Sequence, residues 1–252
     1  GDLQTQSEID RLNKLAGEEG PSNDDFPASS TSMKTLHYKQ ANVHDFGWFA
    51  DKRWIVRKGE MELPHSKRKV TTWAMFTPKN RGMWEEEGLK SIRDGLYYYS
   101  LWSGDYPYDV CTAVDGTISA GGGMEYPNVT VIGNSGDASQ LRTVIIHEVG
   151  HNFFPMIINS DERNWSWMDE GLNTFVQFLT EQEFDNNYPS QRGPAHKIVD
   201  YMKMPKEQLE PIMTNSENII NFGPNAYAKP ATGLNILRET IMGRELFDYA
   251  FK

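Results

Sequence analysis

The hydrophobic pattern changes character several times along the chain. Residues 1–33 carry little periodic apolar character and are rich in Gly, Pro, Ser and Asp. They read as a mobile lead segment with at most one short helix near Ser7–Leu15. From Lys34 to Thr77 the runs "TLHYKQANVHDFGWFA", "RWIVRKGEMEL" and "KVTTWAMFT" are short, β-rich and broken by turn residues. After a turn at 78–82, "MWEEEGLKSIRDGLYYYSLWSG" sets Leu89, Ile92, Leu96 and Tyr99 at helical spacing, with Gly104 as its stop. "YDVCTAV" reads as a buried strand. "GGGMEYPNVTVIG" reads as a glycine-led strand, and the proline within it puts that strand at a sheet edge.

Beyond Asp137 the pattern is mainly helical. Asp137 or Ser139 can cap a helix through "QLRTVIIHEVGHNFF", ending near Pro155. "WMDEGLNTFVQFLTEQEF" places Leu172, Phe175, Val176 and Leu179 on one face of a second helix. Two or three further helices are expected over 191–252, the last around 226–242. Strands followed by helices are the order of an α+β protein.

Composition narrows the picture. The chain has 252 residues, 38% of them hydrophobic and 12% aromatic, enough for a real core in one large or two small domains. A net charge of −10 argues against nucleic acid as a partner, since phosphate binding calls for basic stripes. A single cysteine, Cys111, allows no intrachain disulfide, so any metal has to be held by His and carboxylates. No apolar run approaches the ~18 residues of a membrane span.

One apolar helix carries three ionisable groups in five positions: His147, Glu148 and His151. Helical positions i and i+4 share a face, so both imidazoles can meet one ion, with Glu148 on the adjacent flank. This H-E-x-x-H arrangement has the mechanics of a zinc hydrolase; the bland alternative is two surface histidines beside a solvated glutamate. Such a zinc needs a third protein ligand. Glu170, in the first turn of the next helix and nineteen residues beyond His151, is the candidate. Alternatively Asp169 and Glu170 only complement that helix's dipole.

H-E-x-x-H, eighteen residues, then Glu inside "WMDEG" resembles the gluzincins, and more narrowly the M1 family of zinc aminopeptidases. "GGGMEYP" resembles that family's G-x-M-E-N exopeptidase motif, and "NAYAKPA" its Y-x-K-G segment with a catalytic tyrosine. "ANVHDFGWFAD" resembles the last strands of its N-terminal β domain. The chain departs from the pattern at Tyr126 (Asn in the family), at Phe153 and Met156 (Trp and Asn), and at Pro230 (Gly). These departures bear on pocket shape, not on the ligands or the base.

The resemblance implies a thermolysin-like α+β domain, a mixed sheet with an edge strand plus a helical subdomain, over residues 71–252. Residues 34–70 would be the end of a β-rich N-terminal domain, and the family's C-terminal helical domain would be missing. It implies one Zn2+ held by His147, His151 and Glu170, with Glu148 as general base. Tyr227 would stabilise the oxyanion; by composition alone it is one of eleven tyrosines. Gly122, Gly123, Met124 and Glu125 would line the substrate. The glycines let a peptide backbone approach, and Glu125 would bind the free α-amine of a peptide, making the chain an aminopeptidase. Without the resemblance, Glu125 reads as a charge that discourages edge pairing. The rival functions are a zinc endopeptidase using the same metal site and a non-catalytic zinc-stabilised module.

Overall fold

The computed structural model describes residues 1–118 and 121–252. The chain divides into two compact units, one of residues 1–97 and 106–149, the other of 98–105 and 150–252.

In the first unit, β1 (Asp2–Leu3) and β2 (Tyr38–Lys39) pair antiparallel, and α1 (Gln6–Ala16) follows β1. The lead segment is fastened by hydrogen bonds. Lys58 Nζ donates to Asn13 Oδ1 (2.9 Å), Arg57 Nη1 to the Glu18 carbonyl (2.9 Å) and Arg81 Nη2 to the Glu19 carbonyl (2.7 Å). Residues 41–51, likened above to strands of a preceding domain, form no strand.

The unit is built on a sheet of β3 (Ile55–Glu62), β4 (Lys69–Phe76), β5 (Val110–Asp115), β6 (Gly123–Tyr126) and β7 (Val129–Ile132), in the order β3-β4-β5-β7-β6. β4, β5 and β7 are parallel, and β3 and β6 are antiparallel edges. β3 pairs with β4 from Ile55↔Phe76 to Glu62↔Lys69, so the sheet runs unbroken through the boundary expected at residue 70.

The stretch read as one strand with an internal proline is instead a hairpin. Pro127 and Asn128 form its turn, Asn128 with φ 68°. Proline fixes φ at one turn position and asparagine tolerates the left-handed one, so the proline never enters the ladder. β6 is nevertheless the edge strand.

Alternation along β4 buries Val70, Thr72, Ala74 and Phe76 on one face. That face receives α2 (Arg81–Ser103), whose Trp84 stacks on Phe76 at 5.7 Å; Gly104, with φ 85°, follows the helix. Each fully buried aromatic or aliphatic side chain in such a layer contributes roughly 1.5–3 kcal/mol. α3 (Ala138–Gly150) packs close to α2 at Gly95, where an added Cβ would lie 3.2 Å from Val149 Cγ1.

The second unit is helical, with α4 (Leu172–Phe184), α5 (Val199–Met202), α6 (Lys229–Ile236) and α7 (Arg244–Phe251). Phe175 is fully buried against Phe247 and Phe251, at 5.6 and 5.5 Å. Arg238 forks onto Asp248 at 2.6 and 2.8 Å, tying α7 to the preceding helical segment. The last helix is thus not the one expected at 226–242. That segment is α6 between two π-helical turns, Gly223–Ala228 and Leu237–Ile241, and Gly243 (φ 81°) turns the chain into α7. Among the described residues no helix is long and apolar enough to cross a membrane. A mixed sheet followed in sequence by helices is the expected α+β class.

Candidate functional site

α3 delivers its polar residues from a fixed start. Asp137 Oδ1 accepts from the Gln140 amide (2.8 Å), and Gln140 Oε1 accepts from the Gly136 amide (2.6 Å), a reciprocal cap. Leu141, Ile145 and Val149 are fully buried. His147 and Glu148 are buried too, at 8% and 5% exposure.

Glu148 rests on the edge strand. A Cβ added to Gly123 would lie 2.4 Å from Glu148 Cγ and 2.5 Å from its Cδ and Oε1, so only glycine leaves room for that carboxyl. Glu125, two residues along β6 and therefore on the same face, brings a carboxylate oxygen within 4.8 Å of one from Glu148. Two carboxylates this close favour a cation beside them. Gly122 has φ 74°, and its carbonyl accepts from the Gly133 amide at 2.8 Å, which shapes the entry to β6. Met124 alternates to the opposite face, where it lines a cavity of about 660 Å³ with Tyr126, Trp54 and Phe49. Its side chain is therefore not grouped with Glu125 and Glu148.

In the second unit, His151 keeps helical backbone angles (φ −61°, ψ −17°), one helical turn after His147 in sequence. Phe154 breaks the helical path with φ −127° and ψ 106°. Its carbonyl stands 2.7 Å from His151 Nδ1, and Asp169 Oδ1 lies 2.8 Å from the same nitrogen. Both neighbours are acceptors, which favours a proton on Nδ1.

Nε2 of His151 faces Glu170 Oε2 at 3.3 Å. Glu170 sits in a π-helical turn, Trp167–Gly171, that leads into α4. Tyr227, in the turn before α6, donates its hydroxyl to Glu170 Oε1 at 2.5 Å. Burial and the Glu170 carboxylate push the Tyr227 phenol up, so it stays protonated and available as a donor.

Two glycines allow this close assembly. A Cβ on Gly150 would meet Asn173 Oδ1 at 2.2 Å and Tyr99 Oη at 2.4 Å, and Tyr99 Oη itself donates to Asn173. A Cβ on Gly171 would meet Pro230 Cγ at 2.3 Å, so the proline that departs from the family pattern packs where glycine alone fits.

The second unit brings His151, Glu170 and Tyr227 together, and the first brings Glu125, Glu148 and Gly123 together. Asp169 was read only as a helix-dipole complement. Its contact with His151 carries no side-chain pattern of its own, since two adjacent acids at a helix start are common.

The donor set fits a metal ion. With Nε2 unprotonated, as a metal requires, the imidazole and the Glu170 carboxylate could each give a lone pair to one cation between them. The 3.3 Å separation also matches the edge of a tetrahedron with ligands at about 2.0–2.2 Å. Imidazole and carboxylate without thiolate is a zinc-type set.

No family model matches this chain, and no curated protein matches it. Solved structures do. An M1 zinc metallopeptidase from Deinococcus radiodurans matches 78% of the chain with a TM-score of 0.58 and 20% identity. Yeast leukotriene A4 hydrolase matches 77% at 0.53 and 16%, and Legionella pneumophila aminopeptidase A, in complex with aspartic acid, 79% at 0.54 and 13%. The chain spans 42%, 32% and 24% of these three. Over more than three quarters of its length, then, the chain has the fold of the M1 zinc metallopeptidases.

Proposed function

We propose that this chain is a zinc-dependent peptidase that removes N-terminal residues from peptides. The observation that carries the reading is the His151–Glu170 pair, with Nδ1 of His151 on the Phe154 carbonyl and beside Asp169, and its Nε2 turned to the carboxylate.

His147, His151 and Glu170 would hold the zinc. When bound, zinc lowers the pKa of a water and polarises the scissile carbonyl. Glu148 takes the proton of the attacking water and passes it to the leaving amine. Its place against Gly123 holds it beside the strand that a substrate would join. The free edge of β6 pairs with an extended peptide, and the backbone at Gly122 and Gly123 admits it closely. Glu125 binds the α-amine. Tyr227 donates its hydroxyl to the developing oxyanion. Asp169 holds His151 in the tautomer that ligates. One Deinococcus neighbour, at 20% identity and a TM-score of 0.56, is a structure bound to a Tyr-Ser-Ala substrate, which supports the choice of peptides.

Metal analysis together with Glu148→Gln tests the reading. The wild type should take up one zinc and hydrolyse aminoacyl substrates. Glu148→Gln should keep the zinc and lose turnover by a hundredfold or more, about 3 kcal/mol of transition-state stabilisation. A wild type that takes up no zinc on titration overturns the proposal.

A further inference from the structure

We infer that Arg192 docks a substrate carboxylate beside this site, so that short peptides with a free carboxylate within a residue or two of the scissile bond are the preferred substrates. The inference rests on the peptidase reading above and narrows its substrate class.

Arginines of this chain commonly hold a carboxylate: Arg11 pairs with Glu8, Arg53 with Asp51, Arg57 with Glu85, Arg142 with Glu87 and Arg238 with Asp248. Arg192 is exposed and has no acidic partner among the described residues. Its guanidinium carbon lies 4.2 Å from the centroid of the Tyr227 ring. A guanidinium stacked on an aromatic face keeps its N–H donors in its own plane, pointing outward, which is the geometry that grips a carboxylate bidentately.

The backbone beside it is held in place. Gly193 has φ 100°, and an added Cβ would lie 2.5 Å from Phe178 Cγ. The Gly193 carbonyl accepts from Asn235 Nδ2 at 3.2 Å. Arg192 is thus presented from a pinned loop, not from a free tip.

Its position relative to the chemistry is set by Tyr227. The hydroxyl of that ring is on Glu170, and Arg192 covers its face. A cation one tyrosine ring away from a ligand carboxylate is within the span of one or two peptide residues, at about 3.3–3.6 Å each. In a chain of net charge −10, an unpaired arginine at this place favours anionic ligands locally. The carboxylate can be a peptide's C-terminus or an Asp or Glu side chain.

The test measures binding first and then turnover, in the 252-residue chain with zinc supplied. Binding is titrated calorimetrically in Glu148→Gln, with and without Arg192→Gln. The probes are Ala-Ala-Ala, its C-terminal amide, and Ala-Asp-Ala amide. With Arg192 present, the free acid should bind ten- to a hundredfold tighter than its amide. Arg192→Gln should reduce that preference to less than threefold, and Arg192→Lys should retain part of it. A preference restored by Ala-Asp-Ala amide assigns the carboxylate to a side chain; one kept only by the free acid assigns it to the C-terminus. In turnover, the loss should fall on KM for the free acid. A preference unchanged by Arg192→Gln overturns the inference. So does an equal fall in kcat on acid and amide, which would make Arg192 a packing partner of Tyr227. If the wild type hydrolyses peptides without preferring the acid, the inference alone fails. If the Arg192-dependent preference persists while no peptide is cleaved, the peptidase reading alone fails.

Discussion

The carboxyl group of Glu148 lies against the α-carbon of Gly123, with no space between them for a methyl group. An edge strand and a helix thereby meet at the group proposed to move protons. Gly123→Ala would put a carbon 2.5 Å from Glu148 Cδ, and the carboxyl would have to move aside. Zinc content should stay near one per chain, while kcat falls by about a hundredfold, the lower end of what a positioned base contributes. Wild-type turnover in this variant would remove Glu148 from the mechanism or show the strand to be yielding.

Asp169 is expected to control metal affinity without touching the metal. Carboxylates that hold a ligating imidazole in this way contribute about 10–100-fold to affinity. Asp169→Ala should weaken zinc binding by that factor in a chelator competition, and Asp169→Asn by less, because an amide oxygen can still accept from Nδ1. Equal zinc affinity in all three proteins would reduce Asp169 to a packing residue.

Under the proposed function, Glu125 would separate an aminopeptidase from an endopeptidase. A free α-amine, with a reference pKa of about 8, is cationic at neutral pH. A charge-assisted contact with Glu125 would be gained only by unblocked substrates. Glu125→Ala should lower kcat/KM for a free peptide by about ten- to a hundredfold and change an N-acetylated one little, at ~1.4 kcal/mol per decade. Equal cleavage of both peptides by the wild type would favour the endopeptidase alternative.

Glu8, on α1, is a pH probe for the lead segment. It accepts from Arg11 (2.5 and 3.0 Å) and from Lys34 (2.9 Å), and the Arg11 hydrogen bonds chiefly hold its carboxyl down at about 2, against 4.5. A pKa depressed on folding adds stability that is complete above the unfolded value and fades as pH falls through the folded one. The Tm gap between wild type and Glu8→Gln should therefore be widest above pH 4.5 and close towards pH 2. A gap independent of pH would mean that the ion pairs contribute nothing.

Much of this was legible in the residues, and what was missed has physical causes. Periodicity locates α2 and its stop at Gly104, because apolar residues recur along it at helical spacing. The apolar run of β5 reads as a buried strand, and of the two caps that residue type offers, Asp137 and Ser139, the first accepts from the Gln140 amide. The hairpin of β6 and β7 is hidden in the sequence because Pro127 alone signals an edge strand, while the turn depends on the left-handed φ of Asn128. α7 was missed because one glycine, Gly243, separates it from the segment before. His147, His151 and Glu148 could be found from spacing along one helix, whereas Tyr227 was one tyrosine among eleven until a motif singled it out. The roles given to Asp169 and Arg192 are not legible in the sequence, because each acquires its meaning from a partner far away in sequence or across a turn.

The contact between Gly171 and Pro230 constrains the routes by which this sequence can have diverged. Alanine at 171 collides with Pro230 Cγ at 2.3 Å and Cβ at 2.7 Å, and then with the Ala226 carbonyl at 2.9 Å. With glycine at 230 the first two obstacles vanish, while the Ala226 carbonyl remains. The two positions are therefore epistatic, and the order of substitutions matters. A lineage that acquires proline at 230 first commits itself to glycine beside Glu170. One that still has glycine at 230 keeps more freedom at 171, so the two positions should covary among relatives even though neither carries a reactive group.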